Sequence, residues 1–189
     1  MHAANHGAVW MGDVSPDRMK YDDARNRVVE EACRSDADWV FWCDSDIVLP
    51  VDAISTLLAR ARQFDHHFLT GIYFQRAAPY FPLVAHRDPK GSFQWVVKWP
   101  PNAYFPVDGC GFGVVLTSIS MLRAIEPPWF KYEKYSEDFD FCIKAAAKGY
   151  KLYCDSSVRC GHLANPRPIT FDDFALEAEG FGVTLSKGA

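Results

Sequence analysis

Hydrophobic and polar positions follow two rhythms along this chain. From about Asp17 to Cys33, Ala24, Val28, Val29 and Ala32 recur at helical spacing with no Gly or Pro between them, which predicts a helix. Trp39-Val40-Phe41-Trp42-Cys43 then forms an unbroken apolar run bounded by acids. It is too short for a helix and reads as a strand buried on both faces, as in a parallel sheet. Pro50 opens a second helix whose apolar face is Ile54, Leu57, Leu58 and Ala61. Phe68 to Phe74 reads as the next strand, completing a right-handed strand-helix-strand crossover.

The rhythm breaks between 75 and 106, where six prolines, several aromatics and a Lys90-Gly91 turn interrupt it. A hairpin around Phe93 to Lys98 is expected within this insertion, and a loop-rich insertion of such length is often functional. Val107 to Thr117 resumes as a Gly-rich lead into an apolar strand. Ser136 to Lys148 reads as a helix, with Ser136 as its cap, Glu137 and Asp138 in its first turn and Gly149 at its end. Tyr150 to Cys154, with Val158, supplies the last strands. The first twenty residues read as irregular, with at most a short strand at Ala8 to Met11. A polar tail runs from about 165 to 189, with one weak helical stretch at Asp172 to Glu179. This alternation predicts a single α/β domain over residues 1–189, its sheet mostly parallel and its helices on both faces.

Composition narrows the functional classes. The chain has 189 residues, 49% hydrophobic and 23% charged, which excludes wholesale disorder and allows a core without staples. A net charge of -4 argues against a nonspecific nucleic-acid binder. No apolar run approaches the ~18 residues of a membrane span. The first residues lack the basic-then-apolar order of a secretory signal, so a cytoplasmic protein is expected. Six cysteines without a CxxC pair are expected to be buried, reduced thiols rather than a zinc cage.

Asp-x-Asp occurs three times, at Asp36/Asp38, Asp44/Asp46 and Asp138/Asp140, and position separates them. Asp36/Asp38 falls between a helix and a strand and reads as a solvated turn. Asp44/Asp46 ends a buried strand, where open α/β sheets place their ligand crevices. In extended chain the two carboxylates point the same way and suit Mg²⁺ or Mn²⁺. The same residues also suit a turn and cap ahead of Pro50. Asp138 is either a plain cap or a functional acid at a helix N-terminus, and Asp140, facing away from it, reads as a structural hydrogen-bonder. His162, in Arg159-Cys160-Gly161-His162-Leu163, is structural or, beside an oxygen-bound metal, a third ligand. Gly109, Gly111 and Gly113 match neither a Walker loop nor a dinucleotide fingerprint and read as close backbone approach or a bulge. Aromatic residues of the insertion and its approach, Tyr73, Phe74, Tyr80, Phe81, Trp95 and Trp99, either stack on a sugar or pack the insertion.

In order, the segment from Ala24-Arg25-Asn26 to the Asp44-Ser45-Asp46 run, then Val107-Asp108-Gly109-Cys110-Gly111-Phe112-Gly113, then Ser136-Glu137-Asp138, then Gly161-His162-Leu163, resembles the GT-A fold glycosyltransferases, most of all glycosyltransferase family 2 and its relatives. The resemblance covers about residues 24 to 163. It implies a metal-dependent, DxD-type enzyme moving a sugar from a UDP- or GDP-linked donor to an acceptor hydroxyl, with inversion the expected outcome. Asp44, Asp46 and His162 are implied metal ligands, with Asp46 the more direct of the two acids. Arg25 and Asp44, Ser45 and Asp46 are implied on the donor side. Asp138 is the implied general base, with Glu137 beside it at the acceptor. Gly109, Cys110, Gly111 and Phe112 are implied at the donor and acceptor border, and Trp95 and Trp99 are the acceptor candidates of the insertion. Only 23 residues precede Ala24, so the first strand and nucleotide-binding loop of the family find no match and an N-terminally short form is expected. A sheet edge without that strand leaves room to pair with a second copy. Two other classes compete. One is a noncatalytic nucleotide- or carbohydrate-binding module on the same fold. The other is a haloacid dehalogenase-like phosphohydrolase, which would want Gly-Thr where this chain has Ile47-Val48-Leu49-Pro50.

Overall fold

The computed structural model describes residues 8–180, and positions 1–7 and 181–189, including His2, His6 and the end of the tail, lie outside the described residues. Residues 8–20 form no helix or strand, so the short strand expected at Ala8 to Met11 is absent. Val9, Trp10 and Met11 are exposed there, and only Ala8 of the four packs against a core. The elements then run α1 (Tyr21–Arg34), β1 (Trp39–Cys43), β2 (Ile47–Val48), α2 (Ala53–Phe64), β3 (Phe68–Ile72), β4 (Val84–Arg87), β5 (Phe93–Trp95), β6 (Tyr104–Val107), β7 (Gly109–Cys110), β8 (Val114–Ser118), α3 (Ile119–Ala124), α4 (Glu137–Ala147), β9 (Leu152–Arg159), β10 (Gly161–His162) and α5 (Phe171–Gly180).

Five strands make the central sheet, in the order β1-β8-β3-β9-β6. One core joins its first face to Val29 of α1, Met121 and Leu122 of α3, Phe141 and Ala145 of α4 and Phe174 of α5. The other joins the opposite face to Ala53, Leu57, Leu58 and Ala61 of α2. Strand periodicity divides β1 between them: Val40 and Trp42 enter the first core, Trp39 and Phe41 the second. The chain is thus a mixed α/β domain with a central sheet between helices.

Two expectations about the sheet change. Strands β1, β3 and β9 share one direction, but β8 slots between β1 and β3 and runs against both, and β6 runs against β9. Only the β3–β9 pairing is parallel, so the sheet is not mostly parallel in its hydrogen bonding. The apolar run of β8 matches the others in hydrophobicity, and hydrophobicity carries no direction. Second, β1 pairs only with β8 and forms the edge of the sheet among the described residues, so it is covered on both faces yet open along one side.

The 75–106 insertion supplies β4 and β5, which join β7 in a small three-stranded sheet, β5-β4-β7, and then enters the central sheet as β6. Its hairpin joins β4 to β5 through Asp88–Ser92, one strand earlier than the expected position, with the Asp88 carboxylate accepting the N–H groups of Lys90 and Ser92. A two-stranded ladder, β10 with β2, places His162 opposite Ile47. Ser136 makes no side-chain cap to α4. The turn before that helix is tied instead by Asp140, whose Oδ2 accepts the N–H groups of Glu133, Lys134 and Tyr135 at 2.7, 3.0 and 3.1 Å. All six cysteines are free; Cys110, Cys142, Cys154 and Cys160 are buried, while Cys33 is half-buried and Cys43 is exposed. No helix among the described residues is long and apolar enough to cross a membrane.

Candidate active site

The shared direction of β1, β3 and β9 brings their C-terminal ends to one end of the sheet, and the reversed β8 begins there. Cys43 pairs with Val114, and the N–H of Asp44 donates to Gly113 O at 3.2 Å. The chain then turns, closed by the Ile47 N–H on Asp44 O at 3.1 Å. Asp44, Ser45 and Asp46 therefore sit on a turn rather than in extended chain, and the two carboxylates part. Asp44 faces Arg25 at 3.7 Å, while Asp46 faces His162 at 3.3 Å and Arg76 at 3.0 Å. Ser45 between them is exposed.

Arg25 organises one half of the site. It projects from α1 with its side chain 10% exposed and ion-pairs Asp44, Glu137 (3.5 Å) and Asp138 (3.2 Å). Its guanidinium also lies over the rings of Phe112 and Phe130, at 5.3 and 5.8 Å. The structure thus places Arg25 among the carboxylates, enclosed, rather than on an open face.

Asp138, in the first turn of α4, accepts the Phe112 N–H on Oδ2 at 3.1 Å. Its Oδ1 is buried and has no hydrogen bond, because the contact with Arg25 Nε is misaligned. Burial pushes this carboxyl up to about 7, Arg25 opposes the rise, and Glu137 adds to it. Burial also raises Asp44, again against Arg25 and with help from Asp46. Glu137 is buried and holds the Tyr132 hydroxyl, whose pKa this hydrogen bond pushes up to about 12.

His162 organises the other half. Its Nδ1 lies 2.7 Å from Phe74 O. A carbonyl only accepts, so Nδ1 carries the proton, and in the neutral ring Nε2 presents a lone pair toward Asp46 Oδ2. The Leu163 N–H donates to Asp46 O at 2.7 Å and locks the two segments together. A hard carboxylate oxygen facing an imidazole lone pair suits a divalent cation whose remaining ligands come from phosphate oxygens or water. No group of three or more His, Cys, Asp or Glu side chains forms a ready-made metal cage among the described residues.

The glycine run has an internal reason. A Cβ on Gly111 would lie 2.3 Å from the Tyr73 hydroxyl, and one on Gly113 would lie 2.7 Å from its ring. Tyr73 is buried there, accepts the Gly113 N–H at 2.9 Å, and has its own ionisation pushed well up by burial. Gly109 and Cys110 form β7, and the ring of Phe112 is core, meeting Trp42 edge-on, so the Phe112 backbone is its link to Asp138. Trp99 stacks on Phe174, and Tyr73 and Phe74 are buried, so these three pack the protein. Trp95 is half-buried and meets Phe139, the neighbour of Asp138, edge-on. Sequence reasoning passed over Arg76 as a site residue, and it named Tyr73 only as an aromatic that stacks on a sugar or packs the insertion, not as the partner of the glycine run.

No protein-family model matches the chain, and no curated protein matches it. Solved structures do. A197 from STIV aligns with a TM-score of 0.61 and 20% identity, over 82% of this chain and 74% of that one. GalNAc-T7, solved with UDP, GalNAc and Mn²⁺, aligns with a TM-score of 0.59 and 13% identity, over 87% of this chain. The aligned part is 35% of the GalNAc-T7 chain. The fold is GT-A-like. It is shared with GalNAc-T7.

Proposed function

We propose that this domain is a metal-dependent glycosyltransferase that moves a sugar from a nucleoside-diphosphate donor to an acceptor hydroxyl with inversion. One observation carries the reading: Asp44, Asp46, Glu137, Asp138 and His162, from three distant segments, converge at one end of a GT-A-like sheet.

Asp46 and His162 would hold a divalent cation, with Asp44 nearby, and such an ion would supply charge neutralisation for the departing diphosphate. Asp138 is the base. Its buried Oδ1, beside Arg25 but accepting no hydrogen bond, takes the acceptor hydroxyl's proton, and a pKa of about 7 suits it to both holding and releasing one. The Phe112 N–H fixes the carboxylate, and Arg25 keeps three clustered acids from repelling one another. A carboxylate base with no second carboxylate nucleophile implied at the sugar suits single displacement. Mn²⁺ in the GalNAc-T7 structure adds support for the metal.

Isothermal titration of UDP and GDP, with and without Mn²⁺, on the wild type and Asp46→Ala tests this reading. Metal-dependent binding lost in the variant supports it and names the donor class; no binding of either nucleotide by the wild type overturns it. The open edge of β1 favours the noncatalytic binding module as the second reading, since the DxD strand has no outer neighbour among the described residues. Nucleotide binding without release of nucleoside diphosphate from any UDP- or GDP-sugar would select that module.

A further inference from the structure

Arg76 stands on the same carboxylate oxygen that the transferase reading needs for a cation. Its Nη1 lies 3.0 Å from Asp46 Oδ2, the atom that also faces His162 Nε2. It sits just past β3 in a loop closed by the Phe74–Pro82 bridge and by the Gln75 N–H on Phe81 O at 2.9 Å. Its backbone is therefore held two residues from the Phe74 carbonyl that orients His162. Its side chain is 58% exposed, against 10% for Arg25. Of the two arginines on the site's carboxylates, Arg25 is enclosed and Arg76 is tied by an exposed ion pair, the weaker kind of tether.

One oxygen cannot serve a guanidinium and a divalent ion together without setting two cations side by side. A nucleoside diphosphate also brings fresh negative charge to a site already carrying Asp44, Asp46, Glu137 and Asp138. A released guanidinium, with five donors in a planar fork, matches phosphate oxygens.

We propose that Arg76 is an exchangeable cation: it neutralises Asp46 when no metal is bound, yields that oxygen to the incoming divalent ion, and then binds the diphosphate of the donor. This rests on the transferase reading above. Arg76 thus couples metal binding to donor binding.

The test is calorimetric. Mn²⁺ alone, and then UDP and GDP at saturating Mn²⁺, are titrated into the wild type, Arg76→Ala, Arg76→Lys and Asp46→Ala, with thermal melts as the folding control. Arg76→Ala is expected to bind Mn²⁺ about two- to fivefold more tightly, because an exposed competitor is gone. It is expected to bind the nucleoside diphosphate about tenfold or more weakly, because a charge-assisted contact is lost. Arg76→Lys falls between on the second measure, since lysine keeps the charge without the fork. Changes of opposite sign support the exchange. Unchanged nucleotide affinity, or Mn²⁺ affinity that falls or holds, overturns it, and the transferase reading survives if Asp46→Ala still abolishes binding. Absence of Mn²⁺ and nucleotide binding in the wild type overturns both.

Discussion

His162 is oriented by Phe74: a 2.7 Å hydrogen bond from Nδ1 to the Phe74 carbonyl turns Nε2 toward Asp46. The tautomer is thereby set by backbone, not by a titrating partner. His162→Ala is expected to weaken Mn²⁺ binding about tenfold or more; the ring is only 12% exposed and bonds the Phe74 carbonyl, so a lower melting temperature accompanies the loss and thermal melts serve as the folding control. Calorimetry with Mn²⁺ alone measures it, and unchanged affinity would remove His162 from the ligand set.

Asp138 gives a pH signature. In the transferase reading, turnover requires its ionised form, so the rate is expected to rise with pH and level off above about 7. Asp138→Asn should lower turnover about 10²- to 10⁴-fold without abolishing donor binding. Stability moves the other way. A carboxyl whose folded pKa lies above its unfolded value binds more protons in the native state, so it costs stability as pH rises from about 4 toward 7. Asp138→Asn should therefore flatten the decline in stability across that window, as denaturation at pH 5 and pH 8 would reveal. A steeper decline in the variant would contradict the assigned shift.

Removing Arg25 exposes the repulsion it masks. Arg25→Ala leaves Glu137 and Asp138 buried without their shared cation, and about 3 kcal/mol of stability should be lost at pH 8. The loss should shrink as pH falls, because protonated carboxyls no longer need a cation. Urea unfolding at pH 8 and pH 5 compares the two, and a pH-independent loss would assign Arg25 to packing alone.

Tyr73 and the glycines it occupies form a steric pair. Tyr73→Phe strips the acceptor from the buried Gly113 N–H and should cost about 1–3 kcal/mol. Gly111→Ala drives a methyl group to 2.3 Å from the Tyr73 hydroxyl, which the folded chain cannot keep. The double variant Gly111→Ala with Tyr73→Phe should recover part of that loss in thermal melts. Additive losses would show that the two sites do not touch.

Much of this arrangement was legible in the sequence. The apolar run from Trp39 to Cys43, its two acids, and the acidic start of α4 announce themselves by period, length and charge. Strand order and direction do not. The run that becomes β8 looks like its neighbours, and only long-range pairing sends it backward between β1 and β3. The turn at Asp44 to Ile47 was one of two readings the sequence left open, because nothing local decides whether the strand continues through Asp44 and Asp46 or ends there. Arg25 was found by resemblance, but its burial among acids depends on α1 docking against the start of α4, which no local pattern encodes. Arg76 lies in a Pro-rich loop with no periodicity to single it out.

Phe74 links two places that a mutational survey would treat as unrelated. Its ring stacks on Phe174 of α5, centroids 5.5 Å apart, while its carbonyl holds His162. Beyond His162 the chain returns to bridge Ile169, just ahead of α5. A truncation or core substitution in that helix, which supplies none of the site's carboxylates, would thus surface as poor metal retention in an activity screen. Residues scored by such a screen as ligands would include some that never approach an ion, and direct binding measurements are what tell the two apart.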